Sequence, residues 1–74
     1  MKLNEVKINE KVKILNFEND KRVVTRLNNV GIKVGDNVTV CAIAPFKTPI
    51  EIKSGNIRLA IDGKEAAKIA VKYV

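Results

Sequence analysis

RLNNVGIKVGDNV, residues 26–38, carries the end of one element and the start of another, with two glycines four residues apart between them. Gly31 stands just past an apolar-periodic run, where a helix ends most easily because glycine enters the left-handed conformation without a Cβ clash. Ile32 and Val34 are expected to tuck in, Gly35-Asp36 then reads as a turn, and Val38 and Val40 follow with strand chemistry. Upstream, Asn19-Asp20 supplies an N-cap candidate, and Val23, Val24, Leu27 and Val30 recur at helical spacing. The joint therefore predicts a helix of about three turns, a tight turn and a strand.

The pattern extends outward on both sides. Residues 11–17, KVKILNF, alternate as a first strand, with Val12 and Ile14 facing one way and Lys11 and Lys13 the other. Residues 37–44, NVTVCAIA, form a longer strand in which Val38, Val40 and Ala42 share one face and Thr39, Cys41 and Ile43 the other. Pro45 and Pro49 bracket a loop, since neither can donate to a ladder. Residues 50–62 read as a hairpin: Ile50 and Ile52 precede Ser54-Gly55-Asn56, and Ile57, Leu59 and Ile61 follow it with period two. Asp62 with Glu65 has the form of a capping box, and KEAAKIA is rich in helix formers. The end, IAVKYV, returns to alternation and would pair with an open sheet edge. The expected architecture is mainly β: a small closed barrel of the SH3-like kind with about five strands, one helix after the first strand and a short helix before the last.

Composition bounds what such a chain can do. With 74 residues it holds one domain and one small core, and with no Trp and three aromatics that core must be built from Val, Ile, Leu and Ala. No apolar stretch approaches the length of a membrane span, and the polar start MKLNEVKINEK lacks the apolar region of a secretion signal, so a cytoplasmic location is expected. The lone Cys41 fits a reducing compartment and reads as a structural thiol. The formal charge of +6 raises the prospect of an anionic partner. Yet the basic residues are scattered singly or in the one pair Lys21-Arg22, which favours solvated faces over a binding face.

The inventory of chemistry is mostly one of absences. Without histidine the usual general base and the commonest metal ligand are missing, and one cysteine cannot build a Cys/His zinc site. Ser54 falls in a hairpin turn with no imidazole to activate it, and the glycine and lysine spacing of a phosphate loop is absent. The eight carboxylates are dispersed, with Asp20 and Asp62 as helix caps and Asp36 in a turn. No catalytic residue, metal ligand or cofactor is therefore assigned.

The order of these features resembles the FeoA family, the small cytosolic component of bacterial ferrous iron transport systems, over nearly the whole chain. Arg26-Leu27, Gly31-Ile32, Gly35 and Val38 match a family pattern like R-L-x-x-x-G-[IL]-x-x-G-x-x-[IV]. A second signature is met by Ala44-Pro45, Pro49 with the residues IEI after it, Gly55, IRLAI and Glu65-Ala66-Ala67-Lys68-Ile69. Leu27, Gly31, Gly35, Pro45, Pro49 and Gly55 are thus the structural hallmarks. The barrel also resembles the C-terminal SH3-like domain of iron-dependent repressors, although no winged-helix domain fits in this chain.

The resemblance implies a non-catalytic adaptor or regulator of Fe(II) uptake. Its partner would be a membrane-embedded ferrous iron permease with a cytosolic GTP-binding domain, the chain being peripheral to the membrane only through that partner. Two other classes stand beside it: a metal-responsive SH3-like domain binding a transition metal ion, and a small basic barrel binding nucleic acid. The last is disfavoured because Phe17, Phe46 and Tyr73 are too few and too far apart to stack bases. The expected recognition surface is an apolar patch near helix 21–30 and the loop around Phe46, with Arg22, Arg26 and Lys47 as rim charges, and Phe46 itself reads either as packing over the barrel end or as an anchor for the partner.

Overall fold

Alternation of apolar and polar residues produces the strands where the spacing anticipates them. The computed structural model describes residues 1–74. It contains a 3₁₀ turn at Leu3–Glu5, strand β1 (Lys11–Asn16), helix α1 (Lys21–Asn29), strands β2 (Asn37–Ile43), β3 (Ile50–Ser54) and β4 (Ile57–Ile61), helix α2 (Gly63–Ala66) and strand β5 (Ala70–Tyr73). The strands form one antiparallel sheet of order β4-β3-β2-β1-β5. No ladder joins β4 to β5. The expected five-stranded SH3-like architecture with its two helices is thus present, and it curls so that the two outer strands are bridged by the helices and the core, not by backbone hydrogen bonds.

One face of every strand feeds a single core. Val12 and Ile14 of β1, Val38 and Val40 of β2, Ile50 and Ile52 of β3, Ile61 of β4 and Val71 of β5 are buried together with Val23 and Leu27 of α1 and Ala66 of α2. All 16 buried residues are apolar. Leu3 and Val6, which carry no periodic signal, also belong to it, because the N-terminal 3₁₀ turn is pinned by Leu3 N donating to Ile69 O at 2.9 Å.

The joint at residues 26–38 forms as anticipated. Gly31 N donates to Asn28 O at 3.0 Å and Ile32 N to Leu27 O at 2.9 Å, the paired bonds of a Schellman ending, with Gly31 at φ +96°. Gly35, at φ +93°, donates to Ile14 O at 2.9 Å, and Ile14 N returns a bond to Asp36 O at 2.9 Å, so the turn is sewn onto β1. Asp36 also accepts from Lys33 N at 3.0 Å.

Three sequence expectations fail for local reasons. Ile32 tucks in as expected, but Val34 is 54% exposed, since the turn faces its backbone towards β1. Val30 is the C-cap of α1 and stands partly in solvent instead of continuing the apolar stripe. In β2 the register shifts between Val40 and Ala42, a bulge that leaves two residues opposite Glu51; beyond it Ala42 points outward and Ile43 packs on the core.

Candidate docking surface on the helical side

Helix α2 is short and its start is fully capped. Asp62 accepts from Lys64 N at 2.7 Å, and Glu65 Oε1 accepts from Asp62 N at 3.2 Å, the capping box the sequence indicates. The next backbone donor, Gly63 N, bonds Thr48 Oγ1 at 2.9 Å. That bond clamps the loop between β2 and β3 onto the start of α2.

The loop is a turn closed by Lys47 N donating to Ala44 O at 2.8 Å, with Pro45 and Phe46 at its corners, and Ala44 N donates to Pro49 O at 3.1 Å. Lys47 is held at φ +66°, a left-handed conformation that is unfavourable for a side chain with a Cβ. Phe46 is 91% exposed. The loop is thus fixed at both ends while its aromatic ring is presented to water, which excludes the reading of Phe46 as packing over the barrel end. A shallow cleft lined by Phe46, Lys47, Thr48, Asp62 and Lys64 lies between loop and helix.

On the other side of α2, Arg26 of α1 bonds Glu65 through Nη1 and Ala60 O through Nη2, the latter at 2.9 Å. Arg26, expected as a rim charge, keeps its side chain 45% exposed and also tethers α1, β4 and α2. Arg22, one turn earlier, is exposed and makes no ion pair; it lines a wholly polar depression with Lys21, Thr25, Arg26 and Asn29. This part of α1 is accordingly polar and basic, while the apolar side chains open to solvent near the helix and the loop are Val30, Val34 and Phe46. The structure links Arg26 to the Phe46 loop through Glu65, α2 and Thr48, and places Arg22 beside Arg26 on α1 without a bond to that loop.

The remaining expectations are placed as follows. Leu27 is buried, and Gly55 takes φ +58° in the two-residue turn between β3 and β4, followed by Asn56. Pro45 and Pro49 are exposed in the loop. Cys41 is half-buried at the β2 bulge. No three His, Cys, Asp or Glu side chains come together. Sequence reasoning missed a groove beside the joint, lined by Phe17, Val24, Asn28, Lys33 and Val34. Its wall is the turn where Glu18 (φ +51°) and Asn19 (φ +60°) are both left-handed, and only the asparagine carries a compositional hint of that.

A curled five-stranded sheet with a Schellman joint after its first strand and a capped turn of helix before its last defines a small SH3-like module. The FeoA domain model matches residues 1–73, and the chain belongs to the FeoA domain family. No curated protein matches it by sequence. Among solved structures it is similar to the FeoA protein from Chlorobium tepidum, at 28% identity and a TM-score of 0.91, covering 100% of this chain and 70% of that one. A FeoA-like protein from Clostridium acetobutylicum is also 28% identical, with a TM-score of 0.87 and coverage of 100% and 86%. The FeoA of Stenotrophomonas maltophilia, complexed with zinc and described as an SH3 domain protein, shares the fold at 22% identity with a TM-score of 0.77, over 97% and 89% of the two chains.

Proposed function

We propose that this chain is a non-catalytic accessory protein of ferrous iron uptake that binds the cytosolic GTP-binding part of a membrane Fe(II) permease. Membership of the FeoA family over residues 1–73 carries the reading. The description of the Stenotrophomonas relative as a suggested activating factor of ferrous iron transport supports it. The exposed Phe46 supplies an anchor of the kind that dominates small interfaces, an aromatic ring held ready on a constrained loop. Lys47 beside it and Arg22 on α1 act as rim charges that steer the encounter, and Arg26 keeps the α1–α2 surface in shape.

The test is capture of the purified, detergent-solubilised permease of the same cell by the immobilised chain. Retention at micromolar concentration is the expected result. A folded chain that retains no permease, with or without guanine nucleotide, overturns the reading.

A further inference from the structure

Five of the fourteen Lys and Arg residues are ion-paired: Lys2 with Glu18, Arg26 with Glu65, Lys33 with Asp36, Arg58 with Glu51 and Lys68 with Asp20. The other acids are occupied too, with Glu5 on Lys2 N, Glu10 on Lys7 N and the Tyr73 hydroxyl, and Asp62 as a cap. Nine basic residues are left without an ion-pair partner. Scattered in sequence, four of them are gathered by strand register onto the outer face of the sheet, away from the core and its helices. Lys13 lies directly opposite Lys72, Lys11 is two residues along the same strand, and Lys53 faces Thr39, which in turn faces Lys11.

With strands about 4.8 Å apart and about 3.4 Å of rise per residue, these four positions fall within roughly 16 Å of one another measured along the sheet. The one acid that the strands turn outward, Glu51, is held by Arg58 at 2.9 Å. Like charges directly opposite across an antiparallel pair are unfavourable, and Lys13 and Lys72 have no acid within ion-pair reach to offset them. Leu15 follows Lys11 and Lys13 on the same face and is 41% exposed.

We propose that this outer sheet face is an electrostatic contact surface for an anionic lipid bilayer. The proposal rests on the accessory reading in one respect: a permease partner brings the chain beside a bilayer. Lysine ammonium groups are mobile point charges suited to diffuse headgroup charge, and an exposed leucine among them fits the headgroup–acyl boundary. Nucleic acid is less well matched. The face offers no aromatic ring for stacking, its one arginine is engaged by Glu51, and it presents no helix to a groove. Contact through the lysines would leave α1, α2 and Phe46, on the other side of the sheet, free for the protein partner.

Co-sedimentation with vesicles that contain no permease separates this proposal from the docking reading. The chain should bind vesicles of phosphatidylcholine with about one-third phosphatidylglycerol at about 50 mM salt, bind phosphatidylcholine alone negligibly, and be released by about 300 mM salt. Lys13→Gln with Lys72→Gln should weaken partition about 25-fold, roughly fivefold for each lysine. Lys21→Gln with Lys64→Gln, which removes the same charge from the helical side, should stay within about twofold of the unmodified chain. If the first pair melts early, Lys11→Gln with Lys53→Gln carries the same expectation from two exposed positions. Equal losses from both sides, or no selectivity for phosphatidylglycerol, overturn the proposal. Tighter binding to duplex DNA at the same salt, lost through the same lysines, would also overturn it and give the face to nucleic acid.

Discussion

Arg26 and Glu65, 39 residues apart in sequence, join α1 to α2 through a single carboxylate oxygen that also accepts from Asp62 N. The same guanidinium reaches Ala60 O, so one side chain ties two helices and the last residues of β4. Arg26→Ala should cost about 1 kcal/mol, because the bridge is partly solvent-exposed. Arg26→Lys should recover only part of this, since a point charge lacks the fork that serves both acceptors. Urea midpoints measure it. An unchanged midpoint for Arg26→Ala would mean that the bridge is a surface contact without structural weight.

Gly31 and Gly35 have nearly the same φ, yet substitutions at them should differ. A Cβ on Gly31 would lie 3.1 Å from Ile57 Cδ1, whereas one on Gly35 meets nothing within 4 Å. Gly35→Ala bears backbone strain alone, about 1 kcal/mol. Gly31→Val adds a clash and β-branching and should cost roughly 1–3 kcal/mol, a large fraction of the stability of a domain this small. Equal thermal shifts for the two would show that Ile57 gives way freely.

Acid should loosen the start of α1. The Lys68 ammonium, 2.6 Å from Asp20 Oδ2, and then the Val23 backbone amide hold the Asp20 carboxyl below its ordinary value of 3.8. A depressed folded value means that the native state favours the ionised form. The resulting stabilisation is complete above pH 3.8 and is lost as the pH falls through the lower folded value. Asp20→Asn keeps a capping oxygen and removes the titration. The gap in melting temperature between the two proteins should therefore narrow as the pH drops below 3.8. A gap that stays constant would place the acid sensitivity elsewhere.

What the sequence discloses here is what local chemistry decides. The Gly31 joint, the Asp20 and Asp62 caps and the Gly55 turn each rest on residues a few positions apart, and each forms where the pattern indicates. The bulge near Cys41 does not announce itself, because an alternating sequence is equally compatible with an unbroken ladder. Arg26 reads as a rim charge until the fold brings Glu65 beside it. The lysine face is hidden for the same reason: Lys13 meets Lys72, and Thr39 meets both Lys11 and Lys53, only through register. Scattered charge in sequence was therefore no guide to scattered charge in space.

Phe46 gives the docking reading its sharpest test. At 91% exposed the ring contributes almost nothing to the core, so Phe46→Ala should leave the melting temperature within about 1 °C, as for an ordinary surface change. The loop keeps its shape without the ring, because its closure rests on Lys47 N to Ala44 O and on Thr48 Oγ1 receiving Gly63 N. An aromatic anchor seated in a partner's pocket is worth at least about 2 kcal/mol, so permease affinity should fall about 30-fold or more. Arg22→Glu should instead slow association and steepen with falling salt, as befits a rim charge. Thr48→Val separates position from presence: it keeps the ring but removes the acceptor for Gly63 N, so it should weaken capture through a loosened loop. Full capture by Phe46→Ala would move the docking face away from this loop, towards the groove beside Phe17 and Val34.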